Sequence, residues 1–299
     1  MVESHTRKDI EDISYDILKS SKSWGVLPTP VDKIVAFSEL MIDTRVDVSQ
    51  IHHGYLSRAS DTLRSALSKV RGIFDRNIKT IYLDLGQHES KKTFVKLHEV
   101  GHGVLPWQNL ASEFIDDDQT LSLDDQEQFE DEANLFASTT LFQLGRFTDE
   151  VARLPFGIKS AMVLARKFGG SNHATIRRYV EESTNRCSLL VLKDVSKSMQ
   201  PINCSRRDYF QSAKFTKEFG NITWPDKFGQ QWPFSIDYYT GKKLSCENRV
   251  TLTTALGNVE FSYDFFNTTY NAFVLIYPVG EKNSSKAHII LTSSNILFQ

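Results

Sequence analysis

Lys96-Leu97-His98-Glu99-Val100-Gly101-His102 is the stretch on which the reading of this chain turns. On a helix, residues four apart share a face, so the imidazoles of His98 and His102 can reach one ion. Zinc accepts neutral imidazole nitrogen at roughly 2.0–2.1 Å and prefers tetrahedral coordination. Glu99 then lies beside the water the ion would activate, placed to accept its proton. Two histidines on a solvated helix can arise by chance, but the setting argues against that here. The strand-like run Lys79–Leu85 precedes the helix, and Gly101 and Gly103 each cost about 1 kcal/mol relative to alanine in a helix interior. Small residues at those positions make sense if another element packs tightly against this face.

A third ligand is required, since two histidines alone hold zinc weakly. Gly103 to Asn109 contains no histidine at the H-x-x-G-x-x-H spacing. The next candidate is the segment Phe129-Glu130-Asp131-Glu132-Ala133-Asn134-Leu135-Phe136-Ala137. Glu130 shares a helical face with Ala133, Asn134 and Ala137, a face small enough to approach the His98 helix. Glu132 lies about 200° around the helix, so both carboxylates cannot bind one ion. The reading takes Glu130 as the ligand and Asn134 as a residue orienting one of the ligands. The alternative is that all three acids form a solvated face.

With these residues in view, the chain resembles the ImmA/IrrE family of metallopeptidases. The resemblance rests on the strand Ile81–Leu85, on KLHEVGH at 96–102 and on E-x-E-A-N-x-F-A at 130–137, in that order. It covers residues 5–150 and implies a gluzincin-like site, with His98, His102 and Glu130 as ligands and Glu99 as base. It also implies a regulatory peptidase that cleaves a partner helix-turn-helix repressor after DNA damage, phage infection or other stress. CapP-like members of antiphage operons carry a sensory domain after the peptidase, an arrangement this chain is similar to. One departure is that the family often continues its second motif with L-L-M-P, where this chain has Leu141-Phe142-Gln143-Leu144-Gly145.

Length and composition set the frame. At 299 residues, 40% hydrophobic and 24% charged, the chain is long enough for two or three domains with ordinary cores. No apolar run reaches the roughly 18–20 residues that span a bilayer, and MVESHTRKDIEDIS lacks a signal-peptide apolar region. The expectation is a cytoplasmic protein with no membrane partner. Residues 1–186 carry a net charge of −5 and residues 187–299 one of +3, too little for a dedicated nucleic-acid binder. Cys187, Cys204 and Cys246 match no zinc-finger spacing and are read as free, buried thiols.

Along the chain, helical spacing covers residues 6–23, Val31–Leu40, Ser60–Val70, Lys91–Val104 and Gln126–Leu144, with an irregular acidic stretch at 106–128. Residues 159–183 read as two short helices around Gly169-Gly170-Ser171, with the spacing of a helix-turn-helix. Arg177 and Arg178 are placed there to meet phosphate, and a small helical extension of the peptidase is the plainer alternative. Beyond residue 187, strand-like stretches appear at Leu189–Leu192, Val250–Thr254, Ala272–Tyr277 and His288–Leu291. Eighteen of the 34 aromatic residues lie beyond residue 200, including Trp224, Phe228, Trp232, Phe234, Tyr238 and Tyr239.

The fold expected is therefore α+β: a gluzincin-like HEXXH peptidase domain at 1–150, a helical, helix-turn-helix-like linker at 151–186, and a β-rich α/β sensory domain at 187–299. The function expected is that of a Zn2+ endopeptidase cutting a helix-turn-helix repressor and gated by its C-terminal domain. Single-stranded DNA is the candidate activator, because aromatics interleaved with Lys214, Lys217, Lys227, Lys242 and Lys243 could stack bases and meet phosphates. Most of those aromatics can equally fill a β-rich core. The alternative function is a DNA-binding or ligand-sensing regulator with a non-catalytic peptidase fold. His52, His53, Tyr55 and Arg71 are the candidates for stabilising an oxyanion.

Overall fold

The computed structural model describes residues 2–48, 72–76, 78–108, 123–196 and 202–282. The helix expected at Ser60–Val70, the strand at His288–Leu291, part of the acidic stretch at 106–128 and the four oxyanion candidates lie outside those residues. The described chain forms two compact units. One comprises Met1–Asp149 with Ala165–Ser171, and the other Glu150–Leu164 with Asn172–Gln299. The fold is mixed α+β, and no described helix is long and apolar enough to cross a membrane.

The first unit opens with α1 (Ser4–Ser20), which buries Ile10, Ser14 and Leu18 at four-residue spacing. The helix α2 (Val31–Phe37) follows, shorter than expected because Leu40 already leads into β1 (Met41–Asp47). With β2 (Gly72–Asp75) and β3 (Thr80–Leu83) it makes a three-stranded sheet in the order β1-β3-β2. The strand β1 runs parallel to β3, pairing Ile42 with Ile81, and β2 runs antiparallel, pairing Phe74 with Ile81. The helix α3 (Glu89–Val104) starts where the His88 side chain accepts from the Ser90 amide, and it buries Leu97 and Val100.

Against α3 lies α4 (Leu123–Leu141), whose Ala133, Phe136, Ala137 and Leu141 are fully buried at three- and four-residue spacing. The closeness expected from the glycines is present: a Cβ on Gly101 would stand 3.2 Å from the Ala133 Cα. The irregular stretch expected to reach residue 128 ends earlier, because the helix begins at Leu123 and takes in Asp124 and Asp125. The departure after Leu141 has a structural use. Buried Gln143 accepts from the Gly25 amide at 2.8 Å and donates to the Val26 carbonyl at 2.8 Å and Thr29 Oγ1 at 3.0 Å. It thereby satisfies the backbone of the α1–α2 connection. Then come α5 (Gly145–Ala152) and α6 (Ile158–Phe168), and the rings of Phe142, Phe147 and Phe168 meet edge-on or tilted, their centroids within 6 Å of one another.

The second unit is built on a six-stranded antiparallel sheet in the order β6-β5-β4-β9-β8-β7. Its strands are β4 (Ser188–Lys193), β5 (Cys204–Gln211), β6 (Lys227–Phe228), β7 (Leu244–Thr254), β8 (Gly257–Asn267) and β9 (Asn271–Pro278). One face carries Leu190, Val250, Phe261, Phe265 and Val274, packed with the helices α8 (Ala213–Phe219) and α9 (Pro233–Tyr239). The opposite face carries Asp208, Phe210, Phe273 and Tyr277. There α7 (Asn172–Glu181) sets His173 against Asp208, Phe210 and Phe273.

Three expectations change here. Trp224, Phe228, Phe234 and Tyr238 are core residues, so they are not available to stack bases, while the five lysines named with them are exposed. Arg177, half exposed, pairs with Glu181 at 3.0 Å and lies over the Phe210 ring, and Arg178 pairs with Glu182 at 2.7 Å, so both cations already have partners within the protein. Cys187 and Cys204 are buried free thiols, and burial pushes the Cys187 thiol up to about 12, but Cys246 is exposed on β7.

Asp264, 1% exposed, accepts from the Tyr277 hydroxyl and Lys282 Nζ at 2.8 Å and from the amides of Glu247 and Ile158 at 3.1 and 3.2 Å. Removing a buried charge strands its partners, at a cost of about 3–5 kcal/mol. Asp264→Ala should therefore lower the stability of this unit by that amount. A loss below about 1 kcal/mol in urea unfolding would show that the cluster carries little stability.

Candidate metal centre

The site is assembled by α3 and α4, held at close range by the Gly101–Ala133 contact. His98 Nε2 and His102 Nε2 stand 3.1 Å apart. Glu130, from the facing turn of α4, brings Oε2 to 3.2 Å from His98 Nε2 and Oε1 to 3.5 Å from His102 Nε2. One donor atom from each residue lies within 4.8 Å of the others, so the three could hold a metal ion. The histidine hydrogen bonds suit that role. His98 Nδ1 faces Asn134 Oδ1 at 3.1 Å and His102 Nδ1 faces Gln108 Oε1 at 2.8 Å. With each Nδ1–H donating to an amide oxygen, both Nε2 lone pairs point into the same space.

Charge follows this arrangement. Hydrogen bonds from His102 and His98 hold the Glu130 carboxyl well below the usual carboxylate range. At His102 burial pulls the imidazole pKa down, but Glu130, Gln108 and the nearby carboxylates push it up and prevail. Glu99 is buried, 6% exposed, and its pKa is raised by that burial against the counter-pull of His98 and His102. A carboxylate whose proton affinity is raised is suited to proton transfer near neutral pH.

Gly72 on β2 backs Glu99. A Cβ there would lie 2.7 Å from Glu99 Oε1 and 2.5 Å from Val95 Cγ1, closer than real Cβ contacts come. Gly72→Ala should displace the Glu99 carboxylate, lowering any turnover the site supports while leaving its metal content unchanged. An alanine variant with native turnover would show that the carboxylate has room to move.

Sequence reasoning placed His98, Glu99, His102, Glu130 and Asn134 in one site, and the structure brings all five together. It did not foresee Trp107, Gln108 or the part that Glu132 plays. Glu132 is no part of a solvated face: it is fully buried and accepts from Trp107 Nε1, Gln108 Nε2 and Gln128 Nε2 at 2.7, 2.9 and 2.9 Å. The available signal was an amide and an indole directly after the histidine helix.

Residues 58–179 match the Peptidase M78 family, described as the IrrE N-terminal-like domain. The match is consistent with the ImmA/IrrE family. The match takes in α3 and α4, hence every residue of the His98, His102 and Glu130 cluster. A comparison with curated proteins finds no match. Among solved structures, a Mycobacterium tuberculosis transcriptional regulator is similar in fold at a TM-score of 0.51. Its sequence is 13% identical, and the alignment covers 97% of this chain and 80% of that one. At that identity the likeness concerns fold alone. It extends beyond the IrrE-like domain to nearly the whole chain.

Proposed function

We propose that the chain is a zinc-dependent endopeptidase of the ImmA/IrrE type, working in the cytoplasm on one partner helix-turn-helix repressor. The observation that carries this reading is the spacing of the donor atoms. A tetrahedron with bonds of roughly 2.0–2.1 Å has edges of about 3.3–3.4 Å. The two imidazole nitrogens stand 3.1 Å apart, close to that edge, and Glu130 sets Oε2 3.2 Å from the first and Oε1 3.5 Å from the second, so its carboxylate faces both. Two nitrogens and one carboxylate oxygen match the donor set of zinc peptidases that keep a fourth position open.

His98, His102 and Glu130 would hold the ion. When bound, zinc supplies Lewis acidity toward water and the scissile carbonyl. Glu99 accepts the proton of the attacking water on a carboxylate oxygen and returns it to the leaving amide nitrogen. Asn134 and Gln108 keep the two imidazoles from rotating. The proposal extends to organisation: peptidase at residues 1–150, a helical segment at 151–186 and a gating domain at 187–299, as in CapP-like regulators of phage defence. A peptidase acting on a repressor inside the cell needs such a gate, and the second unit is a separate body able to supply it.

The test is the purified chain mixed with the small helix-turn-helix protein of a neighbouring reading frame, read on a gel. Cleavage that requires zinc supports the proposal. Zinc-loaded protein that leaves every such partner intact overturns it in favour of a non-catalytic regulator. A parallel lane with single-stranded DNA tests the activator. Stimulation there would have to come from surface groups such as Tyr239 and the lysines, because Trp224, Phe228, Phe234 and Tyr238 are buried.

A further inference from the structure

Gln108 follows α3 and touches no reacting group, yet the geometry points to it as the residue that sets the tautomer of His102. The inference rests on the reading of His98, His102 and Glu130 as a zinc cradle. A side-chain amide can usually be turned either way, presenting oxygen or NH2 to its neighbour. Here only one orientation is allowed. Gln108 Nε2 lies 2.9 Å from Glu132 Oε2 and 3.1 Å from the Phe129 carbonyl oxygen. A carboxylate and a carbonyl can only accept, so both hydrogens of the amide are committed to α4. Oε1 must then face His102 Nδ1, at 2.8 Å, and an oxygen there requires that Nδ1 carry the proton. In the neutral ring Nε2 is left bare, aimed at Glu130 and His98.

We infer that Glu132, Trp107 and Gln108 form a positioning relay that fixes the His102 tautomer for metal binding. Glu132 is the fixed end. It is 0% exposed, and Trp107 Nε1 at 2.7 Å and Gln128 Nε2 at 2.9 Å hold its two oxygens in place. Arg76, just past β2, donates to the Gln108 carbonyl at 2.9 Å and fixes the backbone of the same residue. The two acids two positions apart on α4 thus divide the work. Glu130 faces the histidine nitrogens directly, and Glu132 acts on one of them through an amide.

The experiment is zinc affinity of the full chain, measured by competition with a chromophoric chelator. Thermal unfolding of the metal-free protein checks that each variant folds. Gln108→Leu keeps the volume and removes the acceptor, and it should weaken zinc binding roughly 10–100-fold. Glu132→Ala frees the amide to turn and should weaken binding in the same range. Imidazole nitrogen NMR of the metal-free chain, at a pH where the ring is neutral, reads the tautomer directly: His102 should carry its proton on Nδ1 in the wild type and lose that preference in Gln108→Leu and Glu132→Ala. A residue that merely fills space would leave the tautomer unchanged. Folded Gln108→Leu protein with native affinity, or with the Nδ1 proton retained, would overturn the relay. His102→Ala in the same titration separates the two readings. Loss of zinc there keeps the cradle standing even where the relay falls.

Discussion

A chain carrying His98→Ala or His102→Ala should fold and bind no measurable zinc, where the wild type should bind one ion per chain. Each substitution removes one of three donors, and what remains, one nitrogen and one carboxylate, is too poor a set for zinc. The effect should appear twice. Elemental analysis should fall from one equivalent to none. The thermal midpoint of the wild type should also rise with added zinc, because a ligand at about 100 times its Kd stabilises the native state by roughly 2.7 kcal/mol. In the variants that rise should vanish. Glu130→Ala should weaken binding more than Glu132→Ala, since the first removes a donor and the second only the group that orients one. Zinc retained at one equivalent in the double histidine variant would remove the centre from α3. The reverse order of the two glutamates would move the ligand to Glu132.

The site was readable because its information is local. The interval from His98 to His102 is one helical turn, and the face of Glu130, Ala133, Asn134 and Ala137 is set by the same period on α4. The role of Glu132 was not readable for the opposite reason. Its partners Trp107 and Gln108 follow the end of another helix, and only tertiary packing brings them to α4. Position on the helix correctly separated Glu132 from Glu130. What spacing could not supply is that the far face is buried against a polar partner.

The second unit shows the same limit in its strands. Apolar runs announced β4 and β9, whose residues are buried almost throughout. The strand β5 escaped because Arg206, Arg207 and Asp208 interrupt it, and the short β6 pairs only with its first two residues. The strand β8 escaped because Asp264 sits among its aromatics, a charge that its surroundings, not its neighbours in sequence, make tolerable. In the first unit β1 reads Met41-Ile42-Asp43-Thr44-Arg45-Val46-Asp47, too charged to announce a strand. The Asp43–Arg45 pair, 2.7 Å apart, accounts for two of those charges. Aromatic content alone could not say which rings face solvent: Trp224, Phe228, Phe234 and Tyr238 fill the core of the second unit, and composition does not distinguish a face from a core.

Glu99→Gln should leave zinc bound and the fold intact while lowering repressor cleavage by about 10²–10⁴-fold, the usual contribution of a positioned general base. The substitution is close to isosteric, so the confined space between Gly72, Val95 and the histidines is filled as before. What changes is the proton. The carboxylate of Glu99 is buried, and burial raises its pKa toward the range in which it can both take a proton and give it up. The amide of glutamine can do neither. Zinc should remain because the three proposed donors, on His98, His102 and Glu130, are untouched. A comparison with Gly72→Ala separates charge from position. That variant keeps the carboxylate but pushes it from its place, so its loss should be smaller and should be relieved by Glu99→Asp, which is shorter by one methylene. Glu99→Gln protein that cleaves its partner at the native rate would remove Glu99 from the mechanism. Loss of zinc together with loss of cleavage would instead make Glu99 part of the metal's own support.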